Sequence, residues 1–174
     1  MEPVKWFERK FDFDYKENIF PEILDRLQDT PSRLTGLTQS IPDALLQVRL
    51  QGKWSIKENI GHLTDLEPLW QLRLNDIISG ASELSPTDLA NTKTDQANHN
   101  SKSVIELLRE FSLIRNQTLS MLEKTDEEII FKSSLHPRLK TPMRTMDLFL
   151  FVAEHDDHHL TTISSIAQQL QTTV

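Results

Sequence analysis

Apolar residues recur along most of this chain at helical spacing, in four blocks separated by polar stretches. The first holds Ile23, Leu24, Leu27, Leu34, Leu37 and Ile41 behind Pro21, a residue suited to a first helical turn. It predicts a helix from 21 to about 40 that Pro31 must kink or split, because proline removes a hydrogen-bond donor. In the second block Ser55 and Glu58 have the spacing of a capping box, and Ile56, Leu63, Leu66, Trp70, Leu74 and Ile77 carry a helix over 55–79 to Gly80. Ser103 and Glu106 repeat the device ahead of Val104, Leu107, Leu108, Phe111, Ile114, Leu119 and Leu122, which predicts a third helix to about 124. Thr145 is placed to cap the fourth, which runs to about 171.

The intervening stretches lack such a period. Residues 80–102 carry few apolar side chains and read as a long loop with one short helical turn near 88–91; loops of this length in compact domains usually serve a site, so it is expected to border a pocket. Residues 125–144 read as a second loop, since His136-Pro137 and Thr141-Pro142 block a helix across it. Residues 42–53 form a connection closed by Gly52, and residues 1–20 mix aromatics and charges as an arm packed on the body. With no strand signal of comparable length, the pattern predicts an all-α four-helix bundle, one domain over 1–174, with long loops between helices 2 and 3 and between helices 3 and 4.

Two histidines interrupt the last apolar stripe. His155 and His159 lie about 40° apart on one helical face, in a sector of about 60° shared with Leu148, Val152, Ile163, Ile166 and Leu170. An imidazole there must find a partner, because an unpaired buried polar group costs about 1–3 kcal/mol. His158 falls to one side and Asp157 nearly opposite. On the second helix His62 lies between Leu66 and Leu69, at the edge of that stripe. A histidine pair one turn apart, joined by a third histidine from a facing helix, is how bundles build internal metal sites, and three imidazoles leave a position open as catalytic sites do. Two other readings stand beside this one. The segment from Glu154 to His159 is a polar face, or Asp65 or Glu67 replaces His62 as third ligand; Asp65, about 60° from His62, is better placed to orient an imidazole than to bind.

Composition narrows the chemistry. The chain of 174 residues has no cysteine, which excludes disulfides, thiolate ligands and a cysteine nucleophile, so a metal site must use histidines and carboxylates. A net charge of −7, with only three basic residues in the densest basic stretch, 138–144, argues against a nucleic-acid surface. There is no apolar run long enough to span a membrane and the N-terminus is too charged for a signal segment, so a soluble cytoplasmic protein is expected. Four glycines and no glycine-rich motif leave no phosphate-cradling loop or nucleophile elbow.

The segments FDFDYKENIFPEILDRLQDTPSRL, GKWSIKENIGHLTDLE, DLANTKTDQANHN and HPRLKTPMRTMDLFLFVAEHDDHHLTTI together resemble the DinB superfamily, in particular its YfiT-like metal-dependent hydrolases. The two histidine segments are the specific part. The resemblance implies a four-helix bundle, often dimeric, with zinc or nickel held by one histidine of the second helix and an H-x-x-x-H pair of the fourth: His62, His155 and His159. It implies a divalent-metal enzyme acting on a small molecule, in which a low-molecular-weight thiol, necessarily a cosubstrate, is activated for transfer to a small electrophile. Metal-dependent hydrolysis by water and a non-catalytic stress-response or binding bundle are the alternatives. His99 and His136, in the two long loops, are expected at the pocket mouth, and Lys140 and Arg144 as attractors of an anionic thiol. Asp65, Glu154 and Asp156 lie nearest the histidines in sequence, and none is assigned as general base.

Overall fold

A computed structural model describes residues 5–172. Four long helices, α1 (Phe20–Thr38), α3 (Ile56–Ser79), α5 (Val104–Leu122) and α7 (Thr145–Thr172), form the bundle, and the shorter α2 (Asp43–Leu46), α4 (Thr92–Gln96) and α6 (Glu127–Phe131) sit in the connections. Strands β1 (Ser133–Leu135) and β2 (Pro142–Arg144) pair antiparallel with Leu135 opposite Pro142. Short 3-10 turns occupy Trp6–Glu8 and His99–Ser101. Among the described residues no helix is long and apolar enough to cross a membrane.

Local chemistry sets the helix ends. Ser55 and Ser103 each accept a backbone N–H three residues on, and Glu58 and Glu106 return the bond, so both capping boxes are complete. Gly80 closes α3 in the left-handed region at φ 77°. Thr145 does not cap α7 as expected: its hydroxyl is buried without a partner, and the Asp147 carboxylate instead accepts the Arg144 N–H at 2.9 Å. Pro31 does not split α1. The Leu27 carbonyl, which would have accepted the missing N–H, accepts Arg115 Nη1 at 3.0 Å instead.

The core falls into two apolar clusters. One gathers Phe20, Ile23 and Leu27 of α1 with Trp70, Leu74, Leu119, Phe149 and Val152; the other gathers Leu34 with Ile56, Ile60, Leu107, Phe111, Leu160 and Ile163. Each long helix therefore runs from one cluster to the other. Following chain order, α1 and α7 run one way and α3 and α5 the opposite way, while α3 packs on α5 and α1 on α7. Parallel neighbours cannot be joined by a short turn, so the segment from Gly80 to Ser103 must travel back along the bundle. At 88–91 the expected turn is present as a single i→i+3 turn, with the Asn91 N–H on the Asp88 carbonyl at 3.2 Å, and the helical pieces that follow it in this crossover are α4 and the turn at His99–Ser101. The second long connection also differs from expectation, holding α6 and the β1–β2 hairpin, whose Leu135 bonds Ser82 and Leu84 of the crossover.

Between the two clusters lies a polar layer to which all four helices contribute. Arg115, fully buried, donates to Glu67 at 2.7 and 2.9 Å and to Asp156 at 2.6 and 3.1 Å, and its guanidinium lies 4.8 Å from the Phe111 ring. Thr118 donates to Glu67 at 2.5 Å and Thr30 to Asp156 at 2.8 Å. A buried cation between two carboxylates satisfies the desolvation that neither charge could bear alone. This layer accounts for Glu67 and Asp156 and removes both from the ligand and base candidates.

Candidate metal centre

The apolar-stripe positions of α7 and α3 bring His62, His155 and His159 together. All three are buried, and one ring nitrogen from each lies within 4.8 Å of the others. The Nε2 atoms of His155 and His159 are 3.2 Å apart. The neighbours fix which nitrogen of each ring carries its proton. Asn59, one turn before His62 on α3, donates its Nδ2 to the Ser55 and Trp54 carbonyls at 2.8 and 3.3 Å, so its Oδ1 faces His159 Nδ1 at 2.8 Å and must accept. Thr94 on α4 donates to Asp65 at 2.9 Å, so it accepts from His62 Nδ1 at 3.0 Å. In both rings the proton is on Nδ1 and the Nε2 lone pair is free to face the common point. His155 Nδ1 has no partner among the described residues.

Asp65 thus orients an imidazole, through Thr94 rather than directly. Its Oδ2 also meets His99 Nε2 at 2.8 Å. His99 does not line the pocket mouth; it is buried against Gly61, where a Cβ would stand 2.2 Å from its ring. Burial raises the Asp65 pKa, yet hydrogen bonds from His99 and Thr94 hold it below the ordinary carboxylate value. Burial drives His62 down to about 4, and it drives His155 and His159 well below 6.5 with their neighbouring imidazoles adding to the effect. All three are neutral at pH 7, the form that offers a lone pair.

The imidazoles open onto a cavity of about 790 Å³. All three tryptophans of the chain line it, and each touches a histidine of the cluster: Trp6 and Trp70 lie 4.9 and 6.1 Å from the His155 ring, and Trp54 lies 4.7 Å from His62. Trp6 belongs to the N-terminal arm, which Arg9 pins by donating to Glu154 at 2.6 Å. Half-buried His158 also lines the cavity, edge-on to His159 at 5.3 Å. His136 is at the wall. Lys140 and Arg144 are not; they pair with Glu83 and Asp147. Glu154 is likewise occupied by Arg9 and Arg26, and among the described lining residues Asp88 is the one carboxylate. Asn59, Thr94 and the three tryptophans were missed from sequence. Only the helical offset of Asn59 from His62 signalled any of them.

A bundle that converges three neutral imidazoles from two helices beneath an aromatic-walled cavity has the layout of a metal-binding helical protein. The chain belongs to the DinB superfamily, whose sequence profile matches residues 26–163. Among solved structures it is similar to YfiT from Bacillus subtilis, described as a probable metal-dependent hydrolase with an unusual four-helix bundle topology, at 16% identity and TM-score 0.79 over 94% of each chain. A protein of Clostridium difficile 630 matches at 14% identity and TM-score 0.64 over 92% of this chain and 98% of its own. A Streptococcus pneumoniae protein matches at 17% identity and TM-score 0.62 over 95% and 94%. No functionally curated sequence matches the chain.

Proposed function

We propose that His62, His155 and His159 hold a divalent metal, zinc or nickel, through their Nε2 atoms, and that the protein uses it to activate a low-molecular-weight thiol for transfer to a small electrophile. The observation that carries the metal reading is the convergence of two Nε2 atoms at 3.2 Å with both Nδ1 protons of His62 and His159 taken up elsewhere. Nitrogens bound tetrahedrally at about 2.0–2.1 Å from a zinc ion stand about 3.3 Å apart, so the pair needs little rearrangement. When bound, such an ion lowers the pKa of a thiol or water toward neutrality.

The chain supplies the rest. Asn59 and the Asp65–Thr94 pair orient the rings, and the indoles of Trp6, Trp54 and Trp70 exclude water around them. Asp88, the carboxylate of the lining, already accepts the Ala90 and Thr92 N–H groups at 2.9 and 2.6 Å and is poorly placed as a base. A thiol, which ionises near neutrality with modest help, suits such a wall better than water does. Hydrolysis is the second reading, favoured by the likeness to YfiT and by His158, an imidazole beside the cluster able to take a proton. The protein is expected to act as a cytoplasmic homodimer in a single domain.

The test is metal content by mass spectrometry on untagged protein, followed by loss of a chlorodinitrobenzene with and without thiol and by ester hydrolysis without thiol. Near-stoichiometric metal in the wild type, lost from His155→Ala/His159→Ala, with turnover only in the presence of thiol, is the expected result. A wild type that neither carries nor takes up zinc or nickel refutes the metal reading.

A further inference from the structure

The cavity that opens on the imidazoles has a second group of donors on its wall, and that group lacks an acceptor. Arg73 of α3 lines the cavity yet is only 1% exposed. Its Nε donates to the Ser85 carbonyl at 2.9 Å, its guanidinium lies 5.6 Å from the Trp70 ring, and its Nη2 has no partner among the described residues. Asp76, a carboxylate close enough to influence it, is committed to the Ser85 N–H at 2.7 Å. Asp76 thus offers Arg73 a charge nearby but no hydrogen bond, and a buried guanidinium whose outer N–H groups lack acceptors is costly to keep.

The hairpin places His136 beside it. His136 follows β1, and its Nδ1 accepts the N–H groups of Arg138 and Leu139 at 3.1 and 3.0 Å. The neutral ring therefore carries its proton on Nε2, and Nε2 stands 3.5 Å from Arg73 Nη1, also an N–H group. Two donors face each other and neither can accept. Burial, with Arg73 and Arg138 adding to it, holds the His136 pKa down to about 4, so the ring is neutral at pH 7.

The wider lining points the same way. In a chain of net charge −7, the described residues of the cavity wall include Lys5, Lys53, Arg73 and Arg138 against one carboxylate, Asp88. The Trp70 ring spans the two ends, 5.6 Å from the Arg73 guanidinium and 6.1 Å from the His155 ring.

We propose that Arg73 Nη1 and Nη2 and the Nε2–H of His136 form a recognition site for a carboxylate, so that the cavity takes a small organic acid with its reacting group directed past Trp70 toward the imidazoles. A single guanidinium and one neutral N–H match a carboxylate monoanion; a phosphate, with a further oxygen and a second charge, is left under-bonded. The direction of the reacting group rests on the metal reading of the imidazoles. The carboxylate site does not.

The test compares phenylbutyrate with its neutral amide at neutral pH, reading binding from the fluorescence of the three cavity tryptophans, for wild type and Arg73→Met, each with and without chelator. The acid is expected to bind wild type about tenfold or more tightly than the amide, as a hydrogen bond to a charged group implies. The preference persists in chelator, and in Arg73→Met, shown folded by circular dichroism, it falls to about twofold or less. Equal binding of acid and amide to wild type, or no measurable binding of the acid, overturns the proposal without any variant. A preference kept by folded Arg73→Met overturns the assignment to Arg73, and tighter binding of the phosphate ester of the same chain overturns the choice of carboxylate. Because the comparison is repeated in chelator, a failed metal reading leaves its outcome readable.

Discussion

Gly61→Ala is the most stringent test of how the metal centre is held in place. The added Cβ would stand 2.2, 2.3 and 2.4 Å from three atoms of the His99 ring, far inside van der Waals contact. That ring is 4% exposed and bonded to Asp65 at 2.8 Å, so it cannot swing away freely. Overpacking of this kind costs about 1–3 kcal/mol, and giving up the hydrogen bond to the Asp65 carboxylate costs about 1.5–3 kcal/mol more. Replacing a mid-helix glycine by alanine returns about 1 kcal/mol. The net loss is about 1.5–5 kcal/mol, which in a chain of this size lowers Tm by roughly 3–20 °C. Gly36→Ala in α1 is the matched control. Nothing lies within 4 Å of its Cβ, the site is exposed, and a gain of about 0.5–1 kcal/mol is expected. Thermal unfolding followed by circular dichroism reads both variants. A Gly61→Ala protein as stable as wild type would refute the reasoning, whereas added His99→Ala, which removes the obstructing ring, should recover part of the loss.

Three further outcomes follow from the same contacts. Thr94→Val removes the hydroxyl that accepts from His62 and donates to Asp65, and should weaken zinc affinity about 10- to 100-fold in a competition titration while the fold persists; unchanged affinity would show that His62 needs no orientation. Arg115→Met strands Glu67 and Asp156 in the core and should cost about 3–5 kcal/mol by urea unfolding, and a loss below about 1 kcal/mol would contradict the buried-layer account. In chelator-treated protein His62 and His136 have folded pKa values near 4 against 6.5 when unfolded, so the unfolded chain takes up protons first as pH falls. Stability is therefore full above 6.5 and declines toward 4, by about 3 kcal/mol at most for each group, with His155 and His159 acting in the same sense. A Tm that does not fall between pH 7 and pH 5 counts against this, an interval set by those values.

The four long helices were legible in the chain because their signals are local. An apolar side chain every three or four residues, a serine with glutamate three residues on, and a glycine where φ turns positive act within one helical turn, and the structure keeps all of them. The convergence of His155 and His159 followed from periodicity alone, since residues four apart on a helix share a face, and His62 followed from its place on the stripe of α3.

What only the tertiary structure decided is what crosses between elements. Pro31 reads as a break until Arg115, distant in the chain, supplies the hydrogen bond that the helix lacks. The sequence sets the loop of Thr94 and His99 beside a pocket and His99 at its mouth, but only the crossover demanded by parallel helices shows both laid against α3, with Thr94 bonded to His62 and His99 buried on Gly61. Asp156 and Glu67 sit near the histidines in sequence but point into the polar layer, while Arg73, unremarked in the sequence, meets His136 at the cavity wall. A helical period states which face a side chain shares with its neighbours. It carries no information about which distant donor or acceptor will meet that face, and those meetings set the proton positions, the pKa values and the charge of the cavity.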